Sequence, residues 1–206
     1  MQGFLMVLRL AGVAVILAAI LAQMKVLADA GRLDAVNFLS FFTIQSNLIG
    51  AAALAATAMY RDRRPRWVDW LRGAATVYLT ITFVVVILLL QGIDVGLQLA
   101  WVDFALHKLS PIVIALDFVL DPPRTRTSTR GALLWLVYPL IWLGYTLVRG
   151  AAVGWYPYPF LDPAHAGGYG SVAVTSVIIL IAGAVLSLGV AWLGNRRGRA
   201  GASPQW

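Results

Sequence analysis

Three residues of this 206-residue chain have the side-chain types that acyl transfer requires. Thr43 offers a hydroxyl, His107 offers an imidazole, and Asp103 lies four residues before His107. A threonine hydroxyl is a poor nucleophile until a base takes its proton, and a neutral imidazole can take that proton and later protonate the leaving alcohol. A carboxylate at i−4 on the same helical face can reach the far nitrogen of the ring and fix its tautomer. The pattern predicts a nucleophile, a general base and an orienting carboxylate.

Further polar residues accompany these three. Asn47 and Ser46 are candidate donors to the oxyanion that acyl transfer forms, and Ser110 would give polar support. Serine and asparagine inside membrane spans also serve as hydrogen-bonding contacts between helices, and this interpretation stays open for all three residues. Asp103 could equally be a residue that starts a helix. Asp117 is expected to cap a helix or to pair with an arginine rather than to take part in chemistry.

The composition indicates that lipid surrounds these residues. The chain is 60% hydrophobic and 12% charged, with a mean hydropathy of +0.80, and a globule of this size cannot bury so much apolar surface. It has no cysteine, which excludes disulfides, thiolate catalysis and iron–sulfur clusters. Two histidines are too few for a three-histidine zinc site or for paired bis-histidine haems. We therefore expect no metal and no cofactor.

Six apolar stretches approach the ~20 residues that a transmembrane helix needs. They cover residues 4–28, 37–60, 70–91, 101–120, 132–150 and 169–193. The connectors are short, so we predict an all-α membrane protein in which residues 1–206 form a single domain of six transmembrane helices. Residues 28–30 match the pattern that signal peptidase cleaves. The first stretch is longer than the apolar part of a usual signal peptide, however, and Arg9 interrupts it, so we expect it to be retained.

The basic residues predict the orientation of the bundle. Eleven arginines lie on one side, in the 2–3 and 4–5 connectors, their flanks and the C-terminal tail. They are Arg61, Arg63, Arg64, Arg66, Arg72, Arg124, Arg126, Arg130, Arg196, Arg197 and Arg199. The opposite connectors and their flanks hold only Lys25, Arg32 and Arg149. Because basic loops stay in the cytoplasm, both termini are predicted to be cytoplasmic, and the net charge of +7 is attributed to this asymmetry rather than to nucleic-acid binding.

The hydroxyl of Thr43 and the imidazole of His107 are predicted to lie at the same depth in the membrane. In this topology spans 2 and 4 both run inward from the outer face, so equal distances along them mean equal depth. Thr43 lies six residues after Asn37, and His107 lies six residues after Trp101, which puts each ~9 Å below the outer end of its helix. Asp103 shares one helical face with His107. We therefore expect a site near the outer face.

A stripe of side chains along span 5 could bind substrate. It recurs at helical spacing and consists of Trp135, Tyr138, Trp142, Tyr145 and Arg149. If the stripe faces the interior of the bundle, Arg149 could hold a carboxylate at the outer interface while an acyl chain lies against the rings. The alternative is that these aromatic side chains only pack or form an interfacial belt.

Three segments of the chain together are similar to those of a known family. The first is NFLSFFTIQSNL at residues 37–48, the second is His107 followed three residues later by Ser-Pro, and the third is WYPYPFLD at residues 155–162 with GGY at residues 167–169. In this order they resemble the bacterial six-span relatives of the androgen-induced-gene and androgen-dependent-regulator family of membrane threonine hydrolases. The resemblance implies that Thr43 is the nucleophile and His107 the base, that fatty acid esters of hydroxy fatty acids are the substrates, and that the protein lies in a bacterial inner membrane.

Three functions of different class stay open at this point. A lipid ester hydrolase requires Thr43 and His107 in one cavity. A small transporter or channel requires a continuous polar path to both faces, for which Asp117 and Tyr78 are candidates. A non-catalytic membrane binding protein would use the polar residues only to join helices. The expected partners are a lipid ester substrate and membrane lipids, with no nucleic acid.

Overall fold

A computed structural model of the chain describes residues 2–90 and 99–200. The structure is 84% helical and has no strand among the described residues, which confirms the all-α class. The helices are α1 (Gln2–Asp29), α2 (Ala35–Ser40), α3 (Phe42–Met59), α4 (Arg66–Leu89), α5 (Ala100–Phe104), α6 (Ser110–Leu120), α7 (Thr129–Leu133), α8 (Val137–Val153), α9 (Pro163–Ala166) and α10 (Tyr169–Ala200). A π-helical turn (Ala105–Leu109) joins α5 to α6, a 3₁₀ turn (Leu134–Leu136) joins α7 to α8, and another 3₁₀ turn (Pro159–Leu161) precedes α9.

Five helical stretches among the described residues are long and apolar enough to cross a membrane. They are Gln2–Asp29, Phe42–Met59, Arg66–Leu89, Thr129–Val153 and Tyr169–Gly198. They coincide with five of the six predicted spans. The predicted end of span 3, Gln91, lies outside the described residues. Large apolar side chains such as Val148 and Val185 are exposed on α8 and α10, as expected for helices that face lipid.

The fourth predicted span is also helical, over residues 100–120, but its composition differs from that of the other five. It carries four ionisable residues: Asp103, His107, Lys108 and Asp117. Its middle is the π-helical turn, which lies just before Pro111. Proline has no N–H to give to the carbonyl of His107, four residues earlier, so a regular α-helix is interrupted at this point. The segment that precedes it, residues 91–98, lies outside the described residues.

The second predicted span is two helices rather than one. Residues 37–60 were expected to form a continuous helix, but α2 ends at Ser40 and α3 begins at Phe42. Between them Phe41 has an extended backbone, with φ −65° and ψ 128°. The first turn of α3 therefore starts inside the predicted span and leaves its own N–H groups without partners in a preceding helix.

Side chains from elsewhere stabilise this break. Gln45 Nε2 donates to the carbonyl of Leu39 at 2.7 Å, and Trp142 Nε1 donates to the carbonyl of Ser40 at 2.9 Å. In a continuous helix the Leu39 carbonyl would accept from the N–H of Thr43. Because the backbone is extended at Phe41, the Thr43 N–H is not paired with that carbonyl and is available for a tertiary contact.

Helix α3 is the most buried of the five long helices among the described residues. It packs against α1 and α4, and α4 in turn contacts α6 and α10. Ile16, Leu54, Leu79 and Leu106 belong to the core that joins α1, α3, α4 and the π-helical turn. At Gly50 a Cβ atom would lie 2.7 Å from Leu79, so only glycine permits this close packing of α3 on α4 without a shift of that side chain. The packing holds the start of α3 beside the π-helical turn.

A charge-balanced network lies at the end of α6 that is distant from His107. Its members are Arg9, Arg64, Arg72, Asp69, Asp117 and Asp121. Arg9 Nε lies 2.6 Å and Arg72 Nη2 2.7 Å from the Asp117 carboxylate, which confirms that Asp117 pairs with arginine and ties α1, α4 and α6 together. Burial acts to raise the pKa of Asp121, but the hydrogen bonds and charge of Arg64, with Arg9, lower it to about 2. Asp121 is therefore ionised at neutral pH.

Candidate active site

Thr43 and His107, which were predicted to lie at equal depth, are in direct contact. Thr43 Oγ1 lies 3.2 Å from His107 Nε2, and His107 Nδ1 lies 2.7 Å from Asp103 Oδ1. Thr43 and His107 are buried, whereas the Asp103 side chain is 40% exposed. When Nδ1–H donates to Asp103, Nε2 is free to accept the proton of the Thr43 hydroxyl. The three side chains thus form a continuous hydrogen-bond chain.

The π-helical turn positions His107 and is itself held by α3. Asn47 Nδ2 donates to the carbonyl of Leu106 at 3.0 Å, and Ser110 Oγ lies 3.2 Å from the same oxygen. Ser110 Oγ also donates to Asn47 Oδ1 at 2.5 Å. A wide turn leaves backbone carbonyls without α-helical partners, and these side chains satisfy one of them. They therefore hold the segment that carries His107 against the segment that carries Thr43.

These contacts do not support the expectation that Asn47 and Ser46 donate to an oxyanion. The Asn47 amide donates to the carbonyls of Thr43 (2.8 Å) and Leu106 (3.0 Å), so both of its hydrogens are used. Ser46 Oγ donates to the carbonyl of Thr43 at 3.1 Å. Both residues lie one turn beyond Thr43 on α3, and their hydrogens point to backbone oxygens rather than into a cavity. Their contribution is to the positions of Thr43 and the π-helical turn.

A tyrosine that was not predicted as a site residue completes the contacts of Thr43. Tyr158 Oη lies 3.2 Å from Thr43 Oγ1, and it accepts a hydrogen bond from the Thr43 N–H, also at 3.2 Å. Tyr158 belongs to the connector between α8 and α10 and is 5% exposed. The available signal in the sequence was that Pro157 and Pro159 flank it, because two fixed φ angles favour an ordered connector. Periodicity arguments could not find it, since it lies on no predicted span.

Two cavities meet at Thr43. One, of about 410 Å³, we call the polar cavity; its lining includes His107, Arg32 and Asn37. The other, of about 90 Å³, we call the apolar cavity; it lies between α4, α8 and α10 and is lined mainly by aliphatic and aromatic side chains. Thr43 and Tyr158 line both cavities. A bond attacked by Thr43 would therefore lie at the boundary between a polar and an apolar compartment.

The predicted stripe on span 5 faces the bundle, but only one of its members, Trp142, lines either of these cavities. Trp135 is fully buried, and its ring fills the space beside Gly73 on α4. Tyr138 Oη donates to Gln45 Oε1. Trp135 and Tyr138 therefore make packing contacts, and these contacts do not support the expectation that they bind substrate.

The outer part of the stripe holds α2. Tyr145 Oη lies 3.2 Å from Ser40 Oγ, and Arg149 Nη2 donates to Asn37 Oδ1 at 2.7 Å. The Arg149 guanidinium also lies 5.4 Å from the centre of the Trp155 ring. These contacts do not support substrate binding by Tyr145 or by Arg149. The arginine that lines the polar cavity is Arg32.

A second pair of titratable groups, Asp162 and His165, lies at the rim of the polar cavity. His165 Nδ1 is 2.6 Å from Asp162 Oδ2, and Asp162 Oδ1 accepts from the N–H of Ala164 at the start of α9. Burial acts to raise the pKa of Asp162, but the hydrogen bond with His165 and the Ala164 N–H lower it overall. The His165 side chain is 71% exposed. The pair therefore caps a short helix. In residues 2–90 and 99–200 no three potential metal-ligating side chains come together.

Comparisons of the chain with models of known protein families, with curated proteins and with solved structures gave no match.

Proposed function

We propose that this protein is an intramembrane lipid ester hydrolase in which Thr43 is the nucleophile, His107 is the general base and Asp103 orients the imidazole. The observation that carries the proposal is the continuous hydrogen-bond chain from Asp103 through His107 to Thr43, which ends where the polar and apolar cavities meet. A hydroxyl nucleophile needs a base within hydrogen-bond reach and a third group that orients that base, and all three are present.

The first half of the reaction transfers the acyl group to Thr43. Thr43 Oγ1 attacks the ester carbonyl carbon while its proton passes to His107 Nε2, and the carbonyl oxygen becomes an oxyanion. The intermediate then collapses, the bond between the carbonyl carbon and the alkoxy oxygen breaks, and the imidazolium protonates the leaving alcohol. Asp103 stabilises the imidazolium through Nδ1–H.

The second half restores the threonine. A water molecule that enters through the polar cavity gives its proton to His107 and attacks the carbonyl carbon of the acyl-threonine. When the second intermediate collapses, the bond to Oγ1 breaks, Thr43 regains its proton from His107, and a carboxylic acid is released. This step requires water beside Thr43, and the polar cavity contains both Thr43 and His107 in its lining.

The two cavities suggest how a lipid ester is oriented. The apolar cavity receives the acyl chain, because its lining gives the chain an environment free of charged groups. The polar cavity receives the alcohol product, and Arg32 supplies a cation there for a carboxylate on that product. This division fits fatty acid esters of hydroxy fatty acids, which the family resemblance also implies.

The proposal includes a membrane arrangement. We propose six spans, with residues 100–120 as the fourth, both termini in the cytoplasm of a bacterial inner membrane, and the site near its outer face. The eleven arginines on one side support this orientation. A transport function receives less support, because Asp117 is bonded to Arg9 and Arg72, and Tyr78 donates to the carbonyl of Trp135 at 2.7 Å.

Covalent labelling of the purified protein tests the nucleophile. A fluorophosphonate probe reacts with an activated hydroxyl, so wild-type protein should be labelled, and peptide mass spectrometry should locate the phosphonyl group on Thr43. Thr43→Ala and His107→Ala should lose both the labelling and the hydrolysis of a fatty acid ester of a hydroxy fatty acid. Thr43→Ser should keep part of both, because it keeps the hydroxyl.

Thr57→Ala is the matched control for this experiment. Thr57 is also a buried threonine of α3, and its hydroxyl donates to the carbonyl of Ala53 at 2.6 Å, far from His107. It should be labelled and should hydrolyse ester like the wild type. Undiminished labelling and turnover by Thr43→Ala, or folded wild-type protein that neither reacts nor hydrolyses, would overturn the proposed function.

A further inference from the structure

Tyr158 is held firmly against the proposed nucleophile. Its ring is stacked on Phe160, with ring centres 5.3 Å apart, and contacts Phe41 edge to face at 5.6 Å. Its hydroxyl reaches Thr43 from the connector, on the atom that His107 also contacts. Such packing removes rotamer freedom from the phenol before substrate binds, which is the preorganisation that electrostatic stabilisation of a transition state requires.

The directions of the hydrogen bonds show where the phenol hydrogen points. Tyr158 Oη accepts from the Thr43 N–H, so its own hydrogen is free to be donated to Thr43 Oγ1. Thr43 Oγ1 can in turn donate its hydrogen to His107 Nε2. Before substrate arrives, the phenol hydrogen thus has a lone pair of the nucleophile as its acceptor.

We propose that Tyr158 is a catalytic residue that donates a hydrogen bond to the oxyanion formed during ester cleavage. This inference rests on the proposed function and adds to it the group that stabilises negative charge. When Thr43 Oγ1 bonds to the carbonyl carbon, the phenol hydrogen moves from Oγ1 to the new oxyanion.

The charges and bonds balance in this step. One Oγ1–C bond forms, the carbonyl π pair moves to oxygen, and the Oγ1 proton moves to His107 Nε2. Tyr158 keeps its proton throughout, because it donates a hydrogen bond rather than transferring a proton. Collapse of the intermediate returns the electron pair to the carbonyl and releases the alkoxy oxygen, which His107 protonates.

A hydrogen-bond donor must keep its proton, and the Tyr158 hydroxyl meets this requirement. Burial raises the pKa of Tyr158, although its hydrogen bonds with Thr43 act in the opposite direction, so the hydroxyl is protonated at neutral pH. The other candidate donors are already used, because the hydrogens of Asn47 and Ser46 go to backbone carbonyls. Tyr158 lines both cavities, so its hydroxyl is beside an ester that spans their boundary.

Tyr158→Phe tests the proposal, since it removes one oxygen and keeps the packed ring. Loss of one oxyanion donor should lower kcat by about 10²- to 10³-fold while KM changes little. Inhibition by a lipid trifluoromethyl ketone, which forms an oxyanion on Thr43, should weaken in parallel, whereas a non-cleavable ether analogue of the substrate should bind as before. Tyr60→Phe is the control, because it removes the same hydroxyl at the other end of α3 and should leave kcat unchanged.

A second variant separates chemistry from packing if Tyr158→Phe folds poorly. Difluorotyrosine at position 158 keeps the hydroxyl and lowers its pKa, so kcat should fall at a lower alkaline pH than in wild type, as the phenol ionises and can no longer donate. Wild-type kcat in Tyr158→Phe, or an unshifted alkaline limb with difluorotyrosine, would overturn the role of Tyr158. Both results presuppose Thr43-dependent hydrolysis by the wild type, so they are distinct from failure of the proposed function itself.

Discussion

At the scale of single residues, the proposed chemistry depends on a hydroxyl in the first turn of a helix. Thr43 follows the break at Phe41, so its N–H points to Tyr158 instead of to a carbonyl of its own helix. Its Oγ1 contacts both His107 and Tyr158. One residue therefore offers a nucleophile and a backbone donor at the same place.

Asp103 is the most exposed of the three residues in the proposed catalytic hydrogen-bond chain. Its replacement by asparagine measures what its charge contributes. We expect Asp103→Asn to lower kcat by up to about 10⁴-fold, because the amide no longer holds the imidazole in the tautomer that leaves Nε2 free to accept a proton. The pH dependence of kcat should change as well, since the imidazolium loses its charge partner, while KM should stay nearly constant.

The alternative role of Asp103, at the start of a helix, predicts a different result. Asparagine serves nearly as well as aspartate at a helix N-terminus, so kcat and its pH profile would then match the wild type. Steady-state kinetics over a range of pH distinguish the two roles. The contact of 2.7 Å between Asp103 Oδ1 and His107 Nδ1 favours the catalytic one.

At the scale of elements, α4, α8 and α10 enclose the apolar cavity. In the proposed function they therefore limit the length of the acyl chain that the cavity can hold. The cavity follows α4 from Ile81 to Leu90, the residue after the end of the helix, over nine residues or about 13.5 Å. Gly183 of α10 lies in its lining, where an added Cβ would come 3.2 Å from Leu136 and 3.3 Å from Ile81. This glycine is therefore a point at which the cavity can be shortened.

Gly183→Leu should change the preference for acyl length. The larger side chain fills space that a long acyl chain would occupy, so kcat/KM for long-chain esters should fall about tenfold or more while short-chain esters are hydrolysed as before. Gly189→Leu is the control, because it lies on the same helix and a Cβ there would meet nothing within 4 Å. Equal loss for all chain lengths, or no loss, would show that the acyl chain does not lie in this cavity.

At the scale of the whole molecule, the two ends of the bundle have opposite characters. One end holds the charge-balanced network of three arginines and three aspartates, whose buried pairs join α1, α4 and α6. The other end holds the polar cavity and Thr43. A buried pair that loses one partner leaves an uncompensated charge, so this network resists separation of the helices at its end.

Cysteine labelling of intact cells tests which end faces outward. The chain has no cysteine, so single substitutions give no background. Ala30→Cys and Ala164→Cys, both at exposed positions beside the polar cavity, should react with a membrane-impermeant thiol reagent. Arg63→Cys and Arg126→Cys, which are exposed at the opposite end, should react only after the cells are opened. The reverse pattern would place the site toward the cytoplasm.

The sequence by itself determined the membrane character, the helical class and the meeting of Thr43, His107 and Asp103. Hydropathy over ~20 residues and the helical repeat are local properties, so they can be read from the chain without knowledge of its partners. Two helices that start at the same face also bring residues of equal depth together, and the contact between Thr43 Oγ1 and His107 Nε2 followed from that counting.

Only the tertiary structure decided which hydrogen-bond partner each polar group takes. Gln45 and Trp142 occupy the carbonyls at the break before α3, and Tyr158 takes the N–H that is left free. The Asn47 amide goes to the π-helical turn instead of to an oxyanion. Each polar group could bond either to a nearby backbone group or to a side chain distant in sequence. The packing of the whole bundle, rather than any local pattern, decides whether that distant side chain lies close enough to bond.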